Sequence, residues 1–263
     1  MKSVTFILLI VYTTTHAQLT TYELTSVDFH NFLASKKIIA IGEMHGTREV
    51  PLFVLKLAQQ LEKENKPLTV ALEIGSNYQQ VMDEFITNGD FEKLTQLDDF
   101  TYPDGRSSIA MGELIKGLRE IRTLKILCFD IPAGTSPSLN RDSLMAVNLI
   151  KNYQGEQMII LTGNLHANLK EGYWKPGFKS AVFYLNEIAQ INDQLLSLNT
   201  CFGGGTIWNC MQDGCHEREA PSNAELKQHA ATNYMGVYAK AHPSGYSGYI
   251  YFDNVTASRP LVE

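Results

Sequence analysis

Residues 37–48, KIIAIGEMHGTR, decide the fold of this chain. The stretch opens with a short continuous apolar run, which is typical of a strand buried on both faces of a parallel sheet. Gly42-Glu43 ends the run, and apolar residues from Val50 to Leu61 then recur at helical spacing. A buried strand that passes through a short polar turn into an amphipathic helix predicts an α/β architecture.

Three more segments repeat this pattern further along the chain. Each is a short apolar run, and they lie at residues 68–74, 124–131 and 157–162. Apolar residues at helical spacing precede the last two, from Ile109 to Ile121 and from Leu144 to Ile150. Since strands and helices alternate, we predict a mostly parallel central sheet flanked by helices, with right-handed crossovers.

The chain beyond His166 has a different character. Its pattern predicts four further strands with turn-rich stretches between them, at residues 181–185, 194–199, 235–239 and 246–253. We expect these strands to form a partly antiparallel C-terminal extension of the sheet.

Residues 1–17 have the layout of a secretory signal peptide. Lys2 supplies a positive start, residues 4–12 are nearly all apolar, and Thr15-His16-Ala17 offers small residues around a cleavage site. The apolar run is too short to span a bilayer as a helix. We therefore expect cleavage after Ala17, a secreted or periplasmic protein that is not membrane-bound, and a single α/β domain over residues 18–263.

Composition and charge restrict the possible partners. The chain has 263 residues, of which 44% are hydrophobic, and this length suits one sizeable globular domain. The net charge is −6, and no run of lysine or arginine occurs. Because binding to a phosphate backbone requires clustered positive charge, we expect no nucleic-acid partner. A small-molecule substrate is the expected partner.

Four cysteines bear on the redox state of the protein. Cys201, Cys210 and Cys215 lie close together in a Gly-rich segment with few other structure signals. In an oxidising compartment, at least two of them should form a disulfide. Zinc binding together with His216 is the alternative, although the spacing fits no familiar zinc pattern. Cys128 lies within an apolar run and is expected to be a buried free thiol.

Ionisable side chains follow all four predicted parallel strands. In chain order, they are Glu43 with His45, then Glu73, Asp130 and His166. Each of them alone would more often be structural. In open α/β sheets, however, ligands bind outside the carboxyl ends of the strands. Four such ends together predict one shared reactive cleft.

The spacing around the first strand end adds detail to this cleft. Glu43 and His45 are two residues apart, so they project from the same face if the strand continues. A helix that begins near Thr47 would place unpaired amides beside His45. Together with Arg48, those amides would form a seat for an oxyanion or a carboxylate.

Two loops and one helix face supply further candidate substrate-binding residues. A turn before the second predicted helix carries Tyr102 and Arg106, and Arg106 is placed to meet an anionic substrate group. The loop after the fourth strand end carries Trp174 and is expected to form a rim. Arg141 lies on the polar face of the helix before that strand. For each of these residues an ordinary solvated surface position is the alternative.

Three motifs follow one another along the chain. GEMHGTRE at residues 42–49 is similar to the signature G-E-x-H-G-T-R-E of the erythromycin esterase family. RDSLMAVN at residues 141–148 resembles its R-D-x-x-M-A-x-N helix, and GNLHA at residues 163–167 resembles the strand end that follows. The match runs in the right order over roughly half of the chain, and three ordered motifs are more specific than any one of them.

This resemblance implies both a fold and a chemistry. The wider superfamily also includes haem-binding iron-uptake lipoproteins and metal-dependent peptidase-like proteins, and its members share an α/β core with the cleft at the strand ends. For this chain the resemblance implies that His45 activates a water molecule without a metal. Glu43, Glu73 and His166 would surround it.

Three functions fit these residues. The leading one is a secreted, cofactor-free hydrolase in which His45, oriented by Glu43 or Glu73, takes a proton from a water molecule that attacks an ester, lactone or amide. The second is a metal-dependent hydrolase that uses Glu43, His45, Glu73 and His166 as ligands of manganese, iron or zinc. The third is a protein that binds haem or another iron compound, with aromatic residues such as Tyr102 lining the cleft.

Overall fold

In the computed structural model, which describes residues 19–63, 66–135, 140–228 and 232–262, helices cover both faces of an eight-stranded sheet. The sheet strands are β1 (Leu19–Glu23), β2 (Ile38–Glu43), β3 (Leu68–Gly75), β4 (Leu124–Asp130), β5 (Gln157–Gly163), β6 (Leu195–Phe202), β9 (Asn233–Tyr238) and β10 (Gly248–Phe252), and β7 (Thr206–Met211) and β8 (Gly214–Glu219) form a separate hairpin. The helices are α1 (Val27–Ala34), α2 (Glu49–Glu62), α3 (Gln79–Asn88), α4 (Glu92–Thr95), α5 (Asp98–Thr101), α6 (Ile109–Arg119), α7 (Arg141–Asn152), α8 (Asn164–Ala167) and α9 (Ala181–Ala189). The predicted signal peptide lies outside the described residues.

The strand order brings four strand ends to one place. The order is β1-β9-β10-β6-β2-β5-β3-β4, and β9 alone runs against its neighbours. At the carboxyl edge Glu43 pairs with Gly163, and Gly75 pairs with Asp130. The mostly parallel sheet flanked by helices is therefore confirmed, and its central strands deliver their polar ends to neighbouring positions.

The apolar runs form strands because both of their faces are covered. In β2, Ile39 and Ile41 pack with the cluster on the α2 and α6 side, whereas Ile38 and Ala40 pack with α7 and α9 on the other side. Side chains alternate between the two faces of a strand, so a strand with two covered faces must be apolar throughout. Helix α2 contributes a continuous apolar stripe to the first cluster: Val50, Phe53, Val54, Leu57, Ala58 and Leu61.

The C-terminal half differs from the prediction in three respects. Residues 181–185 form the start of helix α9 and not a strand, because Ser180 caps the helix by accepting a hydrogen bond from the Phe183 amide. Strands β6 and β10 lie parallel to β2, so the antiparallel part of the sheet is confined to β9. The Gly-rich segment, which has few structure signals in the sequence, contains the hairpin β7–β8.

Helix α7 buries a different face from the predicted one. Its buried residues are Asp142, Met145, Ala146 and Leu149. The predicted apolar face, Leu144 to Ile150 at helical spacing, is only half-buried at Leu144, Val147 and Ile150. A buried carboxylate on this face is not visible from apolar spacing alone. It becomes important for the cleft.

The predicted pairing within the cysteine cluster is confirmed. Cys210 and Cys215 form a disulfide between β7 and β8, and Cys128 and Cys201 are free and buried. Because the two sulfur atoms are bonded to each other, they cannot serve as zinc thiolates, and the zinc alternative is wrong. Within the described ranges, no helix has the length and apolar character needed to cross a membrane.

Candidate active site

The polar strand ends surround a cleft of about 320 Å³ at the carboxyl edge of the sheet. Its wall consists of residues 43–45, 163–166 and 209–210 together with Asp104. The volume is at the small end of the roughly 300–1,000 Å³ that ligand sites occupy. Glu73 lies behind this wall, with a side chain that is 6% exposed.

Glu43 and His45 form a hydrogen-bonded pair inside the cleft. His45 Nδ1 lies 3.0 Å from Glu43 Oε1, and the Glu43 side chain is 3% exposed. Burial alone would lower the pKa of His45. The hydrogen bond to Glu43 and the charges of Glu43 and Glu73 outweigh that effect and raise the pKa.

The second ring nitrogen of His45 is the one available for chemistry. With Nδ1–H donating to Glu43, the neutral ring carries its lone pair on Nε2. This atom lies against Gly163, where an added Cβ would come within 3.0 Å of it. Among the residues that the structure describes, it has no hydrogen-bond partner. His45 therefore presents an oriented base to the cleft.

Glu73 is an anion fixed by three hydrogen bonds. Oε1 accepts from Arg141 Nη2 at 2.7 Å, and Oε2 accepts from the Thr162 hydroxyl at 2.6 Å and from the Gly163 amide at 2.7 Å. Burial alone would raise the pKa of Glu73. The nearby imidazoles of His166 and His45 and the Arg141 guanidinium outweigh burial and lower the pKa far below its ordinary range. Glu73 thus supplies charge and position, and it does not exchange protons.

Arg141 connects the carboxylates to His166. Its Nε and Nη2 donate to the two Asp130 oxygens at 2.9 and 2.6 Å, a bidentate pair, and its Nη1 lies 2.9 Å from His166 Nε2. Arginine has no acceptor atom, so His166 Nε2 must accept this hydrogen bond. His166 Nδ1–H then donates to Asp142 Oδ1 at 2.7 Å. Both ring nitrogens of His166 are therefore engaged by protein groups.

These contacts do not fit a metal site built on the four predicted ligands. His166 offers no free nitrogen, and both oxygens of Glu73 already accept hydrogen bonds. Only Glu43 and His45 keep atoms directed at the cleft, and a catalytic metal site normally has three protein ligands. Over the described residues, no group of three or more His, Cys, Asp or Glu side chains is arranged to hold a metal ion.

The hairpin β7–β8 and the loop before α6 close one side of the cleft. The Trp208 amide donates to the Gly46 carbonyl at 3.0 Å, and its indole donates to the Pro103 carbonyl at 2.8 Å. Gly105 packs so tightly between these segments that a Cβ would come within 2.9 Å of both Gly46 Cα and Trp208 O. This contact places Asp104 in the cleft wall, where it binds Arg106 Nε at 2.6 Å.

Other predicted substrate-binding residues lie outside the cleft. Arg48 is 57% exposed and faces Glu113 at 3.9 Å. Trp174 is 60% exposed and stacks edge-on with Phe178. Tyr102 is 59% exposed and lies under the Arg106 guanidinium. These three residues do not contribute to the cleft wall.

Two residues that build the site could not be identified from the sequence. Asp142 is buried and accepts hydrogen bonds from His166 and from the Ala181 amide at the start of α9. The sequence pointed to Asp142 only through its position next to Arg141 in the motif RDSLMAVN. Asn209 in the cleft wall had no signal, because the hairpin that carries it was not predicted.

Comparison with known proteins extends only to the fold. No family model matches the chain, and no curated protein sequence matches it. A solved structure of a Bacillus cereus protein is similar with a TM-score of 0.66 and 13% identity, over 90% of this chain and 94% of that one.

Two further solved structures give similar agreement. A succinoglycan biosynthesis protein has a TM-score of 0.69 and 9% identity, over 90% of this chain and 94% of that one. A mutant of the erythromycin esterase EreC in its open conformation has a TM-score of 0.64 and 12% identity, over 94% of this chain and all of that one. The chain therefore has the same α/β fold as these proteins.

Proposed function

We propose that the protein is a hydrolase in which His45, assisted by Glu43, activates a water molecule that attacks an ester, lactone or amide carbonyl. The observation that carries this proposal is that the two histidines differ in how many of their ring nitrogens are engaged by protein groups. His45 has one nitrogen fixed by a buried carboxylate and the other at the cleft, whereas both nitrogens of His166 are engaged. This arrangement suits a general base.

The residues take distinct roles in this reaction. Nε2 of His45 accepts a proton from water as the water oxygen bonds to the carbonyl carbon. The Glu43 carboxylate stabilises the imidazolium that forms, and the same proton then passes to the leaving group. Glu73, Arg141 and His166 hold the strand ends in position around the base. The likeness in fold to an erythromycin esterase supports the proposal without carrying it.

His45→Ala tests the proposed base. Removal of a general base lowers turnover by about 100-fold or more, so hydrolysis of p-nitrophenyl acetate should fall by at least that factor. Glu73→Gln should also lower turnover. A carboxylate accepts hydrogen bonds from Arg141 and Gly163 through its two oxygens, whereas an amide has only one oxygen that can accept. The matched control is His242→Ala, since His242 stacks on Tyr238 outside the cleft.

Two further measurements separate the competing functions. Circular dichroism must show that the variants remain folded. Addition of a chelator should leave turnover unchanged, and the purified protein should show no visible absorption band of haem. Undiminished turnover in folded His45→Ala, or turnover that a chelator abolishes, would contradict the proposal.

A further inference from the structure

The proposed hydrolysis requires hydrogen-bond donors that face the reacting carbonyl oxygen. This oxygen becomes negative as water adds, and donors already in place lower the barrier. Arg141 has four of its five N–H groups engaged, two by Asp130 and one each by Glu73 and His166. It is therefore nearly saturated.

Arg48 and Pro51 at the start of helix α2 also offer no free donor to the cleft. The Arg48 amide donates to the Thr256 carbonyl at 2.9 Å. Pro51, in the first turn, has no N–H group. The Arg48 side chain itself points to Glu113. The amide and the side chain of Arg48 are thus engaged elsewhere, and Pro51 offers no donor.

Two asparagines in the cleft wall have side-chain amides that find no hydrogen-bond partner in the described part of the chain. Asn164 directly follows Gly163, the residue against which His45 Nε2 lies, and its Cβ sits above Gly42. Asn209 lies across the cleft on β7, on the same strand face as the buried Ile207. Both asparagines are half-buried, and no hydrogen bond of either side chain is formed within the described ranges.

Neither amide is sealed inside the protein, so both keep N–H donors that a ligand in the cleft can reach. Both amides border the same small cleft as the proposed base. A ligand oxygen would accept hydrogen bonds from both.

We infer that Asn164 and Asn209 bind the carbonyl oxygen of the substrate, an inference that rests on the proposed function. As the water oxygen bonds to the carbonyl carbon, its proton moves to His45 Nε2. The π pair of the C=O bond moves onto the oxygen, which accepts hydrogen bonds from the two Nδ2–H groups. When the intermediate collapses, the C=O bond re-forms, and the bond to the leaving oxygen or nitrogen breaks. The proton of His45 goes to that leaving group.

Replacement of each asparagine tests the inference. Loss of one such donor lowers kcat by roughly 10²–10³-fold in the best-studied case, and for half-buried side chains we expect about tenfold or more. Asn164→Ala and Asn209→Ala should each reduce kcat on p-nitrophenyl acetate with little change in KM. The isosteric Asn209→Asp should be at least as slow, because a carboxylate has no donor. Asn31→Ala, on the exposed surface of α1, is the matched control.

A titration provides a readout that needs no turnover. Phenyl methylphosphonate carries a tetrahedral centre with charged oxygens, like the intermediate. In ¹⁵N-correlated spectra, the side-chain NH₂ signals that disappear in Asn164→Ala and Asn209→Ala should shift on titration of the native protein, whereas the Asn31 signal should not.

The outcomes separate this inference from the proposed function. Unchanged kcat in both folded variants, or NH₂ signals that do not respond to the phosphonate, would overturn the inference even if His45→Ala is inactive. Conversely, slow asparagine variants with a responsive NH₂ pair would uphold it even if His45→Ala kept its turnover. In that case only the assignment of the base would be wrong.

Discussion

At the scale of single residues, Gly163 holds the site together. A Cβ at this position would meet His45 Nε2 at 3.0 Å, His166 Cδ2 at 3.5 Å and Glu73 Oε2 at 3.6 Å. The base, the fixed imidazole and the fixed carboxylate therefore share the space that the missing side chain leaves. Glycine is required here for its size, since its φ of −56° is open to any residue.

Gly163→Ala should consequently impair the site without unfolding the protein. The added methyl group would displace His45 by a few tenths of an ångström or more, and misplacement of a reacting group by about 1 Å can cost on the order of 100-fold in rate. We expect turnover to fall at least tenfold, with a melting temperature within a few degrees of the native value. Gly204→Ala is the control, because nothing lies within 4 Å of its Cβ position. Equal activity of the two variants would contradict this view of Gly163.

The positions of the main site residues could be predicted from the sequence, but their roles could not. Glu43, His45, Glu73 and His166 meet because parallel strands end at the same edge, and the apolar runs make those strands visible. The tautomer of His166 depends on which side chains approach its two nitrogens. Those contacts come from Arg141 and Asp142 in the first turn of α7. The spacing of apolar residues alone did not identify the face of α7 that points to the sheet.

At the scale of secondary structure elements, the hairpin β7–β8 is the least supported part of the cleft. It forms its own two-stranded sheet, and such a pair is only marginally stable on its own. The contacts that hold it include those of Trp208 with Gly46 and Pro103, the buried Ile207 and the Cys210–Cys215 disulfide. Since Asn209 and Cys210 border the cleft, the order of the hairpin should influence the reaction.

The double variant Cys210→Ser/Cys215→Ser should loosen this wall selectively. A disulfide stabilises mainly by restricting the unfolded segment, so we expect faster amide exchange in residues 206–219 and a kcat/KM that is lower by several-fold. The central sheet should be unaffected. Treatment of the native protein with a thiol reductant should reproduce the effect, while the double variant should not respond to the reductant. Uniform exchange rates in both proteins would show that the disulfide does not order the wall.

The hairpin and helix α9 mark the limit of local sequence patterns. Residues 181–185 are a short apolar run that suits either a strand or a helix, and only the Ser180 cap and the apolar residues that follow decide it. In β7 and β8 the burial pattern is irregular, because the hairpin rests on loops and not on a sheet face. Such contacts join segments that are far apart in the sequence, so the two strands lack the alternation of apolar and polar residues by which a strand is recognised.

At the scale of the whole molecule, the cleft links pH to stability. The pKa of His45 is raised above its ordinary 6.5 in the folded state, and that of Glu73 is lowered below its ordinary 4.5. Each shift means that folding favours one charge state of the group, so each contributes to the free energy of unfolding over a defined pH range. The two contributions overlap where His45 is protonated and Glu73 is ionised.

The combined contribution of His45 and Glu73 to the free energy of unfolding should therefore be greatest between about pH 4.5 and 6.5, their two ordinary pKa values. The contribution of His45 is fully present below 6.5 and is lost as the pH rises through its raised folded-state pKa. The contribution of Glu73 is present above 4.5 and is lost as the pH falls toward its lowered folded-state pKa.

Urea denaturation of the native protein and of His45→Asn between pH 4 and 9 measures the contribution of His45 to the free energy of unfolding, which is lost as the pH rises. The difference between the two curves removes the titrating groups that do not interact with His45, because both proteins share them. We expect this difference to favour the native protein at low pH and to shrink as the pH rises above 6.5. The imidazolium that Glu43 stabilises is also the species that forms when His45 accepts a proton from water. A difference that stays flat across this range would mean that Glu43 does not stabilise the charged ring, and the assignment of His45 as the base would lose its physical support.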